Sequence, residues 1–167
     1  AEYGAEIIRE RTQVLERINQ SLTDTYQSIA GTDDTVSLHY SHTMIDGIEQ
    51  KIVNELHQNF ERDQLLGFTS TGPHRHDIIS EFKGSPAMAV ASRGEIRSVI
   101  LALKFIEVDV AEAATGLSPI VLLDDVFAEL DETRQQRLAE KCRGNQMLIT
   151  STSAYTGIDS AAVISLD

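Results

Sequence analysis

Tryptophan is absent from this 167-residue chain, and aromatic residues make up only 5% of it, so nothing suggests a lectin-like or antibody-like scaffold. The single cysteine, Cys142, cannot close an internal disulfide. It sits in the polar stretch RQQRLAEKCRG and points to a reducing compartment, with the cytoplasm as the expected location. No apolar run approaches the roughly 20 residues that cross a bilayer. The N-terminus, AEYGAEIIRE, is charged at its second residue and lacks the apolar stretch of a signal peptide. No G-x-x-x-x-G-K-[ST] stretch occurs, so nothing here can cradle a β-phosphate as a P-loop does. Basic residues are outnumbered 14 to 26, and the net charge of −12 excludes a simple basic nucleic-acid binder.

What remains is an ordinary globular composition, 41% apolar, long enough for one domain or one and a half. The charge is uneven. Residues 1–66 hold 5 basic and 12 acidic side chains, whereas residues 67–104 hold 5 basic and 3 acidic. A phosphate would therefore be met in the middle of the chain.

Ile8, Leu15, Leu22 and Ile29 recur every seven residues, with Val14 and Ile18 between them, which predicts a long amphipathic helix. GTDD breaks it. TVSLHY then alternates, with Val36, Leu38 and Tyr40 on one face of a half-buried strand. Ile45, Ile48, Ile52, Leu56 and Phe60 predict a second helix ending near Gly67. Residues 67–92 read as two strands joined by a turn at Lys83-Gly84. A long helix is expected from Arg93 to Ala114, with Ile96, Val99, Ile100, Leu103, Ile106 and Val110 on its buried face and Gly116 beyond its end. The unbroken run in IVLLDD suits a strand covered on both faces. A helix over Glu132–Arg143 and strands MLIT and AVISL complete an α/β pattern with a mostly parallel sheet. A helical segment at 1–66 and an α/β part at 67–167 are the expected domains.

Three stretches carry chemistry. In IVLLDDVFAELD a buried strand runs into two adjacent carboxylates. Asp124 could hold Mg²⁺ beside phosphate oxygens, with Asp125 orienting or deprotonating a water. Equally, the pair could cap the following turn. In ASRGEIRSVILALK, Ser92 and Glu95 form a capping box. Arg93, Gly94 and Arg97 in the same turn make that helix tip an anion site, and both readings can hold together. In GPHRHD, His74, His76 and Asp77 offer metal ligands, and with the Asp124–Asp125 pair they define an alternative, a metal-dependent hydrolase. Gly-Pro before them and Arg75 between them count against that alternative, and His39 and His42 read as surface or packing residues.

Taken in order, GPHRHD, SRGEIRSVILALK, IVLLDDVFAELD and MLITSTS resemble the C-terminal half of the RecF family. These are bacterial recombination-mediator ATPases with an ATP-binding-cassette (ABC) head similar to that of SMC proteins. The resemblance covers residues 67–153 and extends weakly over the helical segment, which would match the family's lever-like second domain. It implies that Ser92, Arg93, Gly94, Glu95 and Arg97 form the signature motif, which meets ATP bound by a second copy. By the same resemblance, Asp124 is the Walker B ligand of Mg²⁺ and Asp125 the catalytic carboxylate. Ala128–Asp131 matches the D-loop, and Thr150, Ser151 and Thr152 match the sensor region, where other cassette proteins carry a switch histidine. ATP-dependent dimerisation, DNA binding, mediator partners such as RecR, and roles in gap repair, replication restart and the SOS response are implied alongside. Family members usually have acidic residues at both positions after GPHR, where this chain has His76 and Asp77, and glutamine where Arg93 and Glu95 stand. The missing P-loop implies the C-terminal half of a longer protein, inactive by itself as an ATPase. A head from another SMC-like family is the nearest alternative.

Overall fold

The computed structural model describes residues 1–42, 46–127, 130–141, 144–152 and 162–164. Helix α1 (Glu2–Ala30) is followed by β1 (Val36–Tyr40), α2 (Ile48–Leu66), a 3₁₀ turn at Pro73–Arg75, β2 (Ile78–Phe82), β3 (Ser85–Pro86) and α3 (Ala87–Val90). Then come α4 (Arg93–Thr115), β4 (Val121–Asp124), α5 (Glu132–Lys141) and β5 (Met147–Thr150). Strands β1, β2 and β3 form a sheet in that order, and β4 pairs with β5 in parallel. Among the described residues no helix is long and apolar enough to cross a membrane.

Packing divides the chain into two compact units, residues 1–20 with 37–81 and residues 21–36 with 82–167. This differs from a division at 66/67, because α1 contributes residues to both units.

In the first unit, Ala5 and Ile8 of α1 pack with Ile48 and Ile52 of α2, and Tyr40 and Leu56 lie against that cluster. The amide of Asn19 takes the place of a neighbouring strand beside β1. It donates to the Leu38 carbonyl and accepts the Leu38 N–H, both at 2.8 Å. Helix α2 ends as expected at Gly67, whose left-handed backbone (φ 74°) lets its N–H reach the Asp63 carbonyl. The stripe predicted for this helix is buried only at its start. Ile48 and Ile52 are covered, whereas Phe60 is 63% exposed and borders an open pocket with Leu56 and Phe68. Ile45 lies outside the described residues.

In the second unit, Thr23 repeats the Asn19 device one turn along α1. Its hydroxyl donates to the Val36 carbonyl at 2.8 Å and accepts the Val36 N–H at 3.1 Å. Tyr26 is fully buried and stands edge-on to Phe82, with ring centroids 5.8 Å apart. All four heptad-spaced residues of α1, Ile8, Leu15, Leu22 and Ile29, are buried.

The second strand expected before Ser92 shrinks to Ser85–Pro86 and gives way to the single turn of α3. Pro86 has no N–H to continue a ladder, and Ala87-Met88-Ala89 favours a helical turn. The Lys83-Gly84 turn is present, with both residues at positive φ (53° and 74°), as a two-residue hairpin turn requires. In α4 the buried face consists of Ser98, Val99, Leu101, Ala102, Phe105 and Ile106, while Ile100 and Val110 are more than half exposed. Ser98 and Ala102 are fully buried, so the covered stripe is rotated from the one the large aliphatics suggest. Only one face of the β4–β5 pair is covered. Val121 and Leu123 are buried, but Leu122 and its register partner Leu148 are exposed. Of the expected strand AVISL, residues 162–164 have no regular structure, pair with neither strand and are exposed. Its remaining residues, like Cys142 and Arg143, lie outside the described residues.

Candidate functional site

The first turn of α4 is built as the sequence requires. Ser92 caps it: its hydroxyl accepts the Glu95 N–H at 3.3 Å, and the Glu95 carboxylate accepts the Ser92 N–H at 2.6 Å. Hydrogen bonds to the Ser92 side chain and then to its backbone N–H hold the Glu95 carboxyl below the usual carboxylate range. An acid at this position would repel a phosphate if it faced outward. Here it is turned back into the cap, on the Ser92 N–H. Ser92 and Arg93 are exposed and Gly94 half-buried, so the tip is not sealed beneath neighbouring side chains.

Asp124 is the last residue of β4, and Asp125 follows it at φ 52°. A left-handed residue ends the strand, so strand alternation does not set the direction of the Asp125 side chain. Aspartate is among the few residues that adopt this backbone readily. Thr150, the register partner of Asp124 on β5, touches both residues. Its hydroxyl donates to Asp124 Oδ1 at 2.5 Å and accepts the Asp125 N–H at 3.0 Å; the same N–H lies 3.2 Å from the Thr150 carbonyl. The next helix is capped not by this pair but by Asp131, whose Oδ1 accepts the Arg134 N–H at 2.9 Å.

Arg97 and Ile100 of α4 line one open cleft together with Asp124, Asp125 and Leu130. The structure thus brings a guanidinium from the helix tip and the carboxylate pair of the strand end to the same depression. Ser151 and Thr152 follow β5 and are exposed. Of the expected D-loop, Asp131 is described, and Ala128 and Glu129 lie outside the described residues.

Two residues near this site went unremarked in the sequence. The Arg134 guanidinium is held by Asp131 Oδ2 at 2.9 Å and stands where a side chain on Gly94 would begin, 3.3 Å from that point. Gln135 ties down the loop after Asp125 by donating to the carbonyls of Phe127 (2.6 Å) and Leu130 (3.0 Å). The aspartate–arginine spacing of three at a helix start was the available signal for Arg134.

The alternative metal site does not assemble. His74 hydrogen-bonds to Thr69, through both its hydroxyl and its carbonyl. His76 hydrogen-bonds to the Tyr40 hydroxyl at 2.9 Å and stacks on His42 at 4.1 Å. Burial, and next the neighbouring His42, push the pKa of His76 below its ordinary value. Asp77 accepts the Ile78 N–H. These residues occupy a turn rather than one strand face, because Pro73 starts a 3₁₀ turn, and among the described residues no three His, Cys, Asp or Glu side chains converge as metal ligands.

No family model matches the chain. It is 36% identical over 159 residues to the DNA replication and repair protein RecF of Streptococcus pyogenes, covering 92% of this chain and 43% of the relative. The RecF protein of Rippkaea orientalis is 35% identical over 163 residues, with 93% and 43% covered. A solved structure of the recombination mediator protein RecF-ATPrS in the RecFOR pathway superposes with a TM-score of 0.77 at 28% identity, over 96% of this chain and 44% of that one. A RecF-ATP structure gives 0.76 at 29%, over 92% and 43%. The chain spans about 43% of the length of the curated relatives it matches. The α/β class expected from the sequence is the one observed, with β4 and β5 parallel. In sequence and in fold, this chain is similar along nearly its whole length to the C-terminal half of RecF proteins.

Proposed function

We propose that this chain supplies one half of a composite ATP site in a RecF-like recombination mediator that acts as an ATP-dependent dimer on DNA. The observation that carries the reading is the shared cleft. An exposed capped helix tip with Arg97 lies beside a strand end bearing Asp124 and Asp125.

The donor set suits Mg²⁺. Asp124 presents a hard carboxylate at the strand end; its Oδ1 is engaged by the neutral hydroxyl of Thr150, and Oδ2 remains to face a cation. Asp124 would hold the ion, whose chemistry when bound is to neutralise phosphate charge. Asp125 would orient or accept a proton from the attacking water. Ser92, Arg93, Gly94 and Arg97 would meet the triphosphate held by a second copy, through backbone N–H groups and guanidinium charge. Glu95 serves that surface by staying in the cap, Asp131 would lie across the dimer interface, and Ser151 and Thr152 would border the γ-phosphate as the sensor region. The similarity to RecF proteins supports DNA, and mediator proteins such as RecR, as further partners, in a cytoplasmic setting. With a net charge of −12, contact with DNA falls to a local basic surface or to residues outside this chain.

The test uses the full-length protein. Ser92→Ala or Arg97→Ala should abolish ATP-driven dimerisation, measured by sedimentation, while nucleotide affinity stays near wild type. Loss of nucleotide affinity with dimerisation intact would overturn the assignment across the interface. The 167-residue chain alone should show no ATP turnover, since it has no P-loop motif.

A further inference from the structure

The family resemblance puts Thr150 in the sensor region, where other cassette proteins carry a switch histidine. Its contacts are of another kind. One hydroxyl has one proton to give and lone pairs to receive with, and here both functions are used on the aspartate pair: the proton on Asp124 Oδ1, a lone pair on the Asp125 N–H. The first contact joins the hydroxyl directly to a carboxylate oxygen. The second fixes the backbone at the one residue of this turn, other than glycine, that stands in the left-handed region. The parallel register places Thr150 opposite Asp124, so the latch is set by strand pairing and not by a mobile loop. Branching at Cβ further restricts the Thr150 rotamer.

We propose that Thr150 is a positioning residue that latches the aspartate pair: it fixes the Asp124 carboxylate so that Oδ2 faces the metal, and it holds Asp125 in the turn that ends β4. This rests on the assignment of Asp124 as the Mg²⁺ ligand.

The experiment measures Mn²⁺ affinity by electron paramagnetic resonance in the full-length protein, once with ATP and once with ADP. Four proteins are compared: wild type, Thr150→Val, Thr150→Ser and Asp124→Asn. Thr150→Val should weaken Mn²⁺ binding about tenfold, the loss of a hydrogen bond to a charged group, and should do so equally with ATP and with ADP. Nucleotide affinity without metal should not change. Thr150→Ser keeps the hydroxyl and should restore affinity to within about twofold of wild type, as one conserved hydrogen bond implies. Three results overturn the latch. These are wild-type Mn²⁺ affinity in Thr150→Val, an equal loss in Thr150→Ser, or a loss confined to the ATP complex, which is what a γ-phosphate sensor would give. If Thr150→Val does not fold, the serine variant and the comparison of ATP with ADP in Thr150→Ala decide the same point. Wild-type affinity in Asp124→Asn would instead overturn the metal assignment itself, and the latch with it.

Discussion

Glu95 shows how one residue settles a conflict between charge and function. A carboxylate at an anion-binding helix tip is unfavourable unless its charge is used locally, and its bonds to Ser92 use it locally. Glu95→Ala should destabilise the protein by about 1 kcal/mol, the usual value of a cap, measured by urea denaturation. The pH dependence has a definite sign. The folded carboxyl is held below its ordinary value, so its contribution is fully present above that value, near pH 4.3 for glutamate, and is lost as pH falls through the lowered one. The stability gap between wild type and Glu95→Ala should therefore be flat from neutral pH to about 4.5 and shrink below it. A gap that widened on acidification would show that the carboxylate is not stabilised where the structure places it.

At the scale of elements, the pairing of α1 with β1 rests on two polar side chains. Asn19 and Thr23 are one helical turn apart, and Val36 and Leu38 are two strand residues apart, so both side chains meet backbone groups on the same edge of β1. An open strand edge invites another chain, and this one is closed from within. Asn19→Ala leaves the Leu38 N–H and carbonyl without partners in a part-buried place. A loss of about 1–3 kcal/mol is expected, with faster hydrogen exchange at the Leu38 amide. Unchanged protection at Leu38 would rule the device out. None of this could be read in the chain beforehand, because Asn and Thr on a helix face look like solvent contacts. What could be read were α1 and α4, where long periodicity and a capping box agree over many turns. The two-residue β3 could not, since proline and alanines next to a hairpin satisfy a strand or a turn equally well locally. The site divides in the same way. The helix tip and the aspartate pair stand out by residue type, whereas the place of Arg134 beside Gly94 depends on contacts between α4 and α5 that no spacing encodes.

For the whole molecule the informative surface is the bare face of the β4–β5 pair. The run IVLLDD promised a strand covered on both sides, yet Ile120, Leu122 and Leu148 are 58%, 69% and 59% exposed. A parallel pair with one naked apolar face is unusual, because parallel sheets are normally covered on both. The chain spans only about 43% of the RecF relatives it matches, and the prediction is that in a full-length protein another layer packs on this face. Such a face makes the 167-residue chain prone to self-association. Leu122→Asp should raise its solubility limit, measured by light scattering on concentration, and leave its thermal midpoint nearly unchanged, because Leu122 loses little burial here. In the full-length protein the same substitution should cost about 1.5–3 kcal/mol, the value of burying a leucine side chain, and more if the aspartate stays charged. The contrast between the two is the test. A substitution neutral in both would mean that nothing covers this face, and that the apolar run in IVLLDD serves only its buried side.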